Sequence, residues 1–164
     1  MASNDTLAIW MPYANEPPSA SYATHDTRNQ HPVLDFDAST SEVAVFSSIM
    51  PRNYANGGVI VNLHTSYSTA TAGSAVFNIY FERVGNEVLD VDSDNFTDAA
   101  SMAIDVPPTS GSVNITAINI QDGTSMASIA VGEKFRVKVE RDCNNGTEDA
   151  TGDAELHGIE LQEL

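Results

Sequence analysis

Apolar residues along this chain recur at every second position rather than at every third or fourth. Phe135, Val137 and Val139 alternate with Lys134, Arg136, Lys138 and Glu140. Phe77, Ile79 and Phe81 alternate with Asn78, Tyr80 and Glu82, and Val59, Val61 and Leu63 alternate with Ile60, Asn62 and His64. A period of two places alternate side chains on opposite faces of an extended backbone, so each stretch predicts a strand with one face in a core. Shorter strands are predicted at residues 7–11, 33–36 and 42–47.

Two further strands change phase. In residues 112–122, Val113 and Ile115 are followed by Ile118 and Ile120, which predicts a bulge or a strand shared between two sheets. In residues 155–161, Leu156 is out of step with Ile159 and Leu161, and the intervening Gly158 marks a bulge. Turn chemistry separates the strands: Asn56-Gly57-Gly58, Gly73-Ser74, Gly85-Asn86, Pro107-Pro108, Asp122-Gly123 and Asn144-Asn145-Gly146. Helix is confined to single turns predicted at residues 97–103 and 124–130, with Met126 and Ile129 facing inward. About eight alternating strands with regular turns predict an all-β, jelly-roll-like antiparallel β-sandwich. One domain is expected over residues 1–164, with residues 1–6 as a flexible arm and residues 162–164 fraying. The long unpatterned stretches at 15–30 and 85–110 read as functional or mobile loops.

Composition narrows the function. The 164 residues carry 23 acids and 7 bases, a formal charge of −16. Phosphates repel such a chain, so direct nucleic-acid binding is not expected. No apolar run approaches the roughly 20 residues that cross a bilayer, so no membrane partner is expected. The opening MASNDTLAIWMP has no basic or long apolar region, and no secretory signal is read there. The single Cys143 excludes an intrachain disulfide, and the acids around it disfavour a reactive thiolate.

Candidate chemistry is sparse. Asp90, Asp92 and Asp94 alternate in an oxygen-rich run that suits calcium. The run fails as an EF-hand, because Asn95 stands where glycine is required and Ser101 where a bidentate glutamate is required. A solvated acidic loop is the simpler reading. His25, His31, His64 and His157 have no zinc spacing, there is no G-x-S-x-G elbow and no phosphate-binding loop, and no enzyme activity or cofactor is expected. Trp10, Tyr13, Tyr22, Tyr54 and Tyr67 are candidate platforms for a glycan or a protein contact. The Pro-rich segment from Tyr13 to Arg52 carries residue types that favour interfaces. With the aromatics it gives an expected contact set of Trp10, Tyr13, Tyr22, Arg28, Arg52 and Tyr54.

Several strings carry a resemblance: EPPSASYATHDTRNQHPVLDFD, VFSSIMPRNYANGG, VFNIYFERVG, SMASIAVGEKFRVKVERD and GDAELHGIEL. Together they resemble small virion proteins of tailed bacteriophages over residues 7–162. Within that group the chain most resembles a capsid decoration, or cement, protein. The resemblance implies a protein made in the host bacterial cytoplasm and placed on the outer capsid surface. It also implies a homotrimer that binds the major capsid protein and stabilises the head. The alternative is a receptor- or glycan-binding jelly-roll module of a tail fibre or spike, motivated by the loop-placed aromatics. An enzymatic jelly roll is the least favoured class, because no His/Glu metal set can be assembled.

Overall fold

The computed structural model describes residues 4–164, which form an antiparallel β-sandwich of ten strands. One sheet contains β1 (Thr6–Trp10), β2 (Thr24–Arg28), β3 (His31–Phe36), β5 (Val59–Tyr67), β8 (Asn114–Ile120) and β10 (Ala154–Glu163). Its order is β2-β3-β10-β5-β8, with β1 also paired to β10. The other sheet has the order β4-β9-β6-β7, formed by β4 (Glu42–Ile49), β9 (Lys134–Arg141), β6 (Ser74–Val84) and β7 (Ala100–Asp105). Short 3-10 turns cover Pro12–Ala14 and Thr124–Met126.

The alternation builds the core as expected. Val61 and Leu63 from β5, Phe77, Ile79 and Phe81 from β6, and Phe135, Val137 and Val139 from β9 are all buried in one cluster between the sheets. Met126 and Ile129 plug one end of it. Each buried Phe or Leu side chain contributes about 2 kcal/mol of transfer free energy, so these inward rows supply the main driving force.

β10 is the organising strand. One side pairs with β5 along its whole length. The other side pairs with β3 up to Leu156 and with β1 from Ile159 onward. The register against β5 slips between Leu156 and Gly158, which is the expected bulge. The bulge sends His157 and Gly158 both to the outer face, while Leu156, Ile159 and Leu161 stay in the core.

Several expectations are corrected. Residues 112–122 contain no bulge: β8 keeps an unbroken register with β5 from Val59↔Ile120 to Thr65↔Asn114. The phase change arises because Val113 and Ile115 point to solvent while Ile118 and Ile120 enter the core. The helical turn expected at 97–103 is instead the start of β7, which the partner β6 holds extended. β2 lies inside a stretch read as unpatterned, because THDTR carries no apolar face. Residues 4–6 are not an arm: Asn4 donates its backbone N–H to Glu163, and Asp5 accepts from Glu163. Residues 1–3 of the expected arm lie outside the described residues. The other terminus is pinned too, with Leu164 bonded to Gly58.

Candidate functional site

The outer face of the six-stranded sheet carries a trough, and the chain builds it in three steps. First, alternation on β5 puts His64 and Ser66 outward, opposite the core residues Leu63 and Tyr67. Second, the β10 bulge places His157 beside them. Third, the β2–β3 hairpin stops pairing with β10 at Leu156. Its tip then reaches over the sheet, so that Arg28 donates to the carbonyls of Tyr67 (2.9 Å) and Ser68 on β5 and just beyond it. Arg28 also bonds Ser110 at 3.1 Å and pairs with Glu155 at 2.8 Å.

Two depressions result, and they meet at His157. One, of about 350 Å³, lies under the hairpin tip and is bounded by Arg28, Asn29, His31, Ser110 and Val113. The other, of about 400 Å³, has Gly158 on its floor and Ile9, Met11, His64 and Glu160 on its walls. Ile9 and Met11 are 64% and 59% exposed, which leaves an apolar lip next to hydrogen-bonding groups. A Cβ on Gly158 would sit 3.2 Å from the Trp10 carbonyl and 3.5 Å from the Met11 sulfur, so glycine keeps this floor open.

Electrostatics tie the imidazoles together. Burial pushes His157 below its ordinary pKa, repulsion from Arg28 and from the neighbouring His31 and His64 pushes the same way, and Glu155 opposes them. Its Nε2 lies 2.8 Å from Ser66 Oγ, and that hydroxyl lies 2.6 Å from Glu155 Oε2. Behind this chain, burial and the neighbouring Asp153, Glu155, Asp26 and Glu42 push Asp35 up to about 6.

A second groove, of about 460 Å³, crosses the outer face of the four-stranded sheet beside Pro17, Pro18, Phe96 and Lys138. Its aromatic faces are already covered. Lys138 Nζ sits 4.1 Å from the Tyr80 ring centroid and 4.6 Å from that of Phe96, and Arg136 lies over Phe96 at 4.9 Å. Arg136 in turn bonds Glu82 and Asp94. A ligand there must displace cation–π pairs before it can stack, so the trough is the better site.

The expected contact residues divide sharply. Trp10 is buried against Phe46 and Phe135 and donates its indole N–H to the Ser47 carbonyl at 2.9 Å. Tyr54 is buried, accepts from the Gly58 N–H and touches Met126. Tyr67 is also buried, and burial pushes it up to about 12. These three are core residues rather than surface platforms. Tyr13 is exposed and stacks on His25 at 5.4 Å, and Tyr22 is partly exposed beside Val43. Arg28 is in the trough, whereas the exposed Arg52 lies beside Gly132 near the Met126 end of the core. Asp90, Asp92 and Asp94 do not converge: Asp90 caps the Asp92 N–H and Asp94 turns to Arg136. Among the described residues no group of three or more His, Cys, Asp or Glu is arranged to hold a metal. The Cys143 thiol is pushed up as expected, with burial as the first cause, Arg141 opposing it and the nearby acids adding to it.

No family model matches the chain, and no curated protein matches it. Solved structures are similar in shape. A family GH115 4-O-methyl-α-glucuronidase with specificity for decorated arabinogalactans aligns with TM-score 0.54 and 10% identity, covering 99% of this chain and 18% of that one. The xylan-binding module CBM15 aligns with TM-score 0.53 and 9% identity, covering 96% of this chain and 97% of that module. PfGH50B aligns with TM-score 0.52 and 11% identity over 98% of this chain and 24% of its own. The likeness is one of fold. The chain spans less than a quarter of the two larger proteins and nearly the whole of the binding module.

Proposed function

We propose that the chain is a carbohydrate-binding module whose ligand lies along the trough centred on His157. The carrying observation is the trough itself: an open, two-part depression that combines an apolar lip (Ile9, Met11) with His31, His64, His157 and Asn29. Sugars present apolar C–H faces alternating with hydroxyls, and this mixture matches both. The similarity in shape and length to a xylan-binding module supports the reading. So does the recurrence of the same sandwich fold within a glucuronidase specific for decorated arabinogalactans. On this reading the arrangement holds and orients a ligand.

The test is affinity electrophoresis and calorimetry against xylan, arabinogalactan and β-1,3-galactan. Binding to at least one is expected, with His64→Ala and His157→Ala each weakening it by about fivefold to tenfold, the value of one hydrogen bond. Wild-type protein that ignores every glycan, or variants that bind as well as wild type, would remove the reading.

Capsid decoration is a second reading. It rests on the sequence resemblance and is favoured by one observation: Ile9, Met11, Val113 and Ile115 are all exposed along the same sheet face, and protein partners bury such clusters. It predicts a trimer in solution that binds assembled phage heads. A monomer that leaves heads unlabelled would end it.

A further inference from the structure

Ser66 Oγ stands between Glu155 Oε2 at 2.6 Å and His157 Nε2 at 2.8 Å. A serine hydroxyl has one proton and donates once. Glu155, as a carboxylate paired with Arg28, offers only lone pairs. The hydroxyl proton therefore goes to the carboxylate, and the short contact is that of a charge-assisted bond. Ser66 then shows the imidazole a lone pair, so Nε2 must bring the hydrogen. In the neutral ring this leaves Nδ1 as a bare acceptor. Nδ1 is not among the buried side-chain atoms left without a partner, and His157 borders both halves of the trough.

We infer that His157 Nδ1 is the trough's acceptor for a ligand hydroxyl, with Ser66 as the positioning residue that holds the ring in the Nε2–H form. Glu155 and Arg28 act behind Ser66. This deepens the carbohydrate-binding reading and rests on it. It selects neutral, hydroxyl-rich saccharides, because a carboxylate or another acceptor placed at Nδ1 would face a lone pair. Protonation would turn the acceptor into a second donor. Several groups set that equilibrium: Arg28 and His31 from the hairpin, His64 from β5, and Glu155 from β10 itself, while Glu160 of β10 lines the same depression. Burial, with Arg28 and the neighbouring imidazoles of His31 and His64, keeps the ring neutral to lower pH than an ordinary imidazole, with Glu155 opposing.

The test uses ¹⁵N-labelled full chain and long-range ¹H–¹⁵N correlation of the imidazoles at about pH 7.5, where an imidazole is neutral. Spectra are taken free and with xylohexaose or a β-1,3-galactan oligosaccharide. A single Nε2–H form is expected for His157, and its Nδ1 resonance should move most when sugar binds. Ser66→Ala should let the Nδ1–H form appear and weaken binding by about tenfold. The wild-type spectrum decides on its own if that variant fails to fold. An Nδ1–H form in the wild type, or bound sugar that leaves the Nδ1 resonance in place, overturns the inference and leaves carbohydrate binding standing. An Nε2–H form with no sugar bound overturns the carbohydrate reading, and the ligand assignment with it.

Discussion

Arg141 and Glu148 form an ion pair at 2.8 Å with side chains 0% and 4% exposed. Arg141 closes β9 in one sheet, yet it also donates to the Phe36 carbonyl of β3 in the other sheet at 3.2 Å. Two more of its bonds hold the Ala150 and Gly152 carbonyls of the loop leading into β10. Glu148 accepts from the backbone N–H of Val76. The pair is thus a rivet through the edge of the sandwich.

Removing one partner strands the other in the interior. Arg141→Ala and Glu148→Gln should each cost about 3–5 kcal/mol, read by urea unfolding. Arg141→Lys should recover only part of the loss, because an ammonium cannot serve divergent carbonyls as a planar fork does. A variant with wild-type stability would show that the loop is held by other means.

Asp35 gives a pH-dependent prediction. Its folded pKa, about 6, lies above the ordinary 3.8 because burial and four neighbouring acids oppose its charge. Such a carboxyl favours the folded state below the unfolded value and progressively loses that contribution as pH rises through 6. Asp35→Asn should therefore stabilise the protein at neutral pH by about 1 kcal/mol, after allowing for solvent screening of a half-buried group. The gain should vanish near the bottom of the window, and thermal melts across it check both points.

Trp10 is the single tryptophan and is 5% exposed. Its fluorescence should be blue-shifted in the native state, report unfolding faithfully, and stay unchanged when glycan is added. Trp10→Ala should cost about 3–5 kcal/mol through the cavity and the lost bond to Ser47. A glycan-dependent emission shift would place the ligand elsewhere.

Gly111 has φ +79°, and a Cβ there would sit 2.7 Å from Arg28 Nη2. Gly111→Ala should strain the turn by about 1–2 kcal/mol and push Arg28 off its carbonyls. Hydrogen exchange across residues 24–31 should rise selectively, because the tip of the hairpin loses its anchor.

The long inner strands were legible because burial on one face forces alternation, as in β5, β6 and β9. The Gly158 bulge was legible because glycine and a phase slip coincide there. β2 was not, since this outer arm of the hairpin buries none of its own residues and leaves no periodic trace. Ile115 misled for the opposite reason: an apolar residue facing solvent imitates a change of phase. The trough escaped because it joins residues from β1, β3, β5 and β10, and no single stretch carries its chemistry. One signal was present. His64 and His157 both fall on outward positions beside core residues, which is where a wet sheet face would place a binding group.

The topology of β10 also bears on the nascent chain. The first, third and fifth strands all find their ladder partner in β10, which is made after the other nine. Until then β1, β3 and β5 each lack the partner they find along β10, and the β2–β3 and β5–β8 pairs of that sheet stay unjoined. Pairings of such long range zip slowly, so synthesis passes through a window in which unclosed edges invite intermolecular pairing. The heavy acidic charge, −16 in all, keeps neighbouring half-made chains apart during that window.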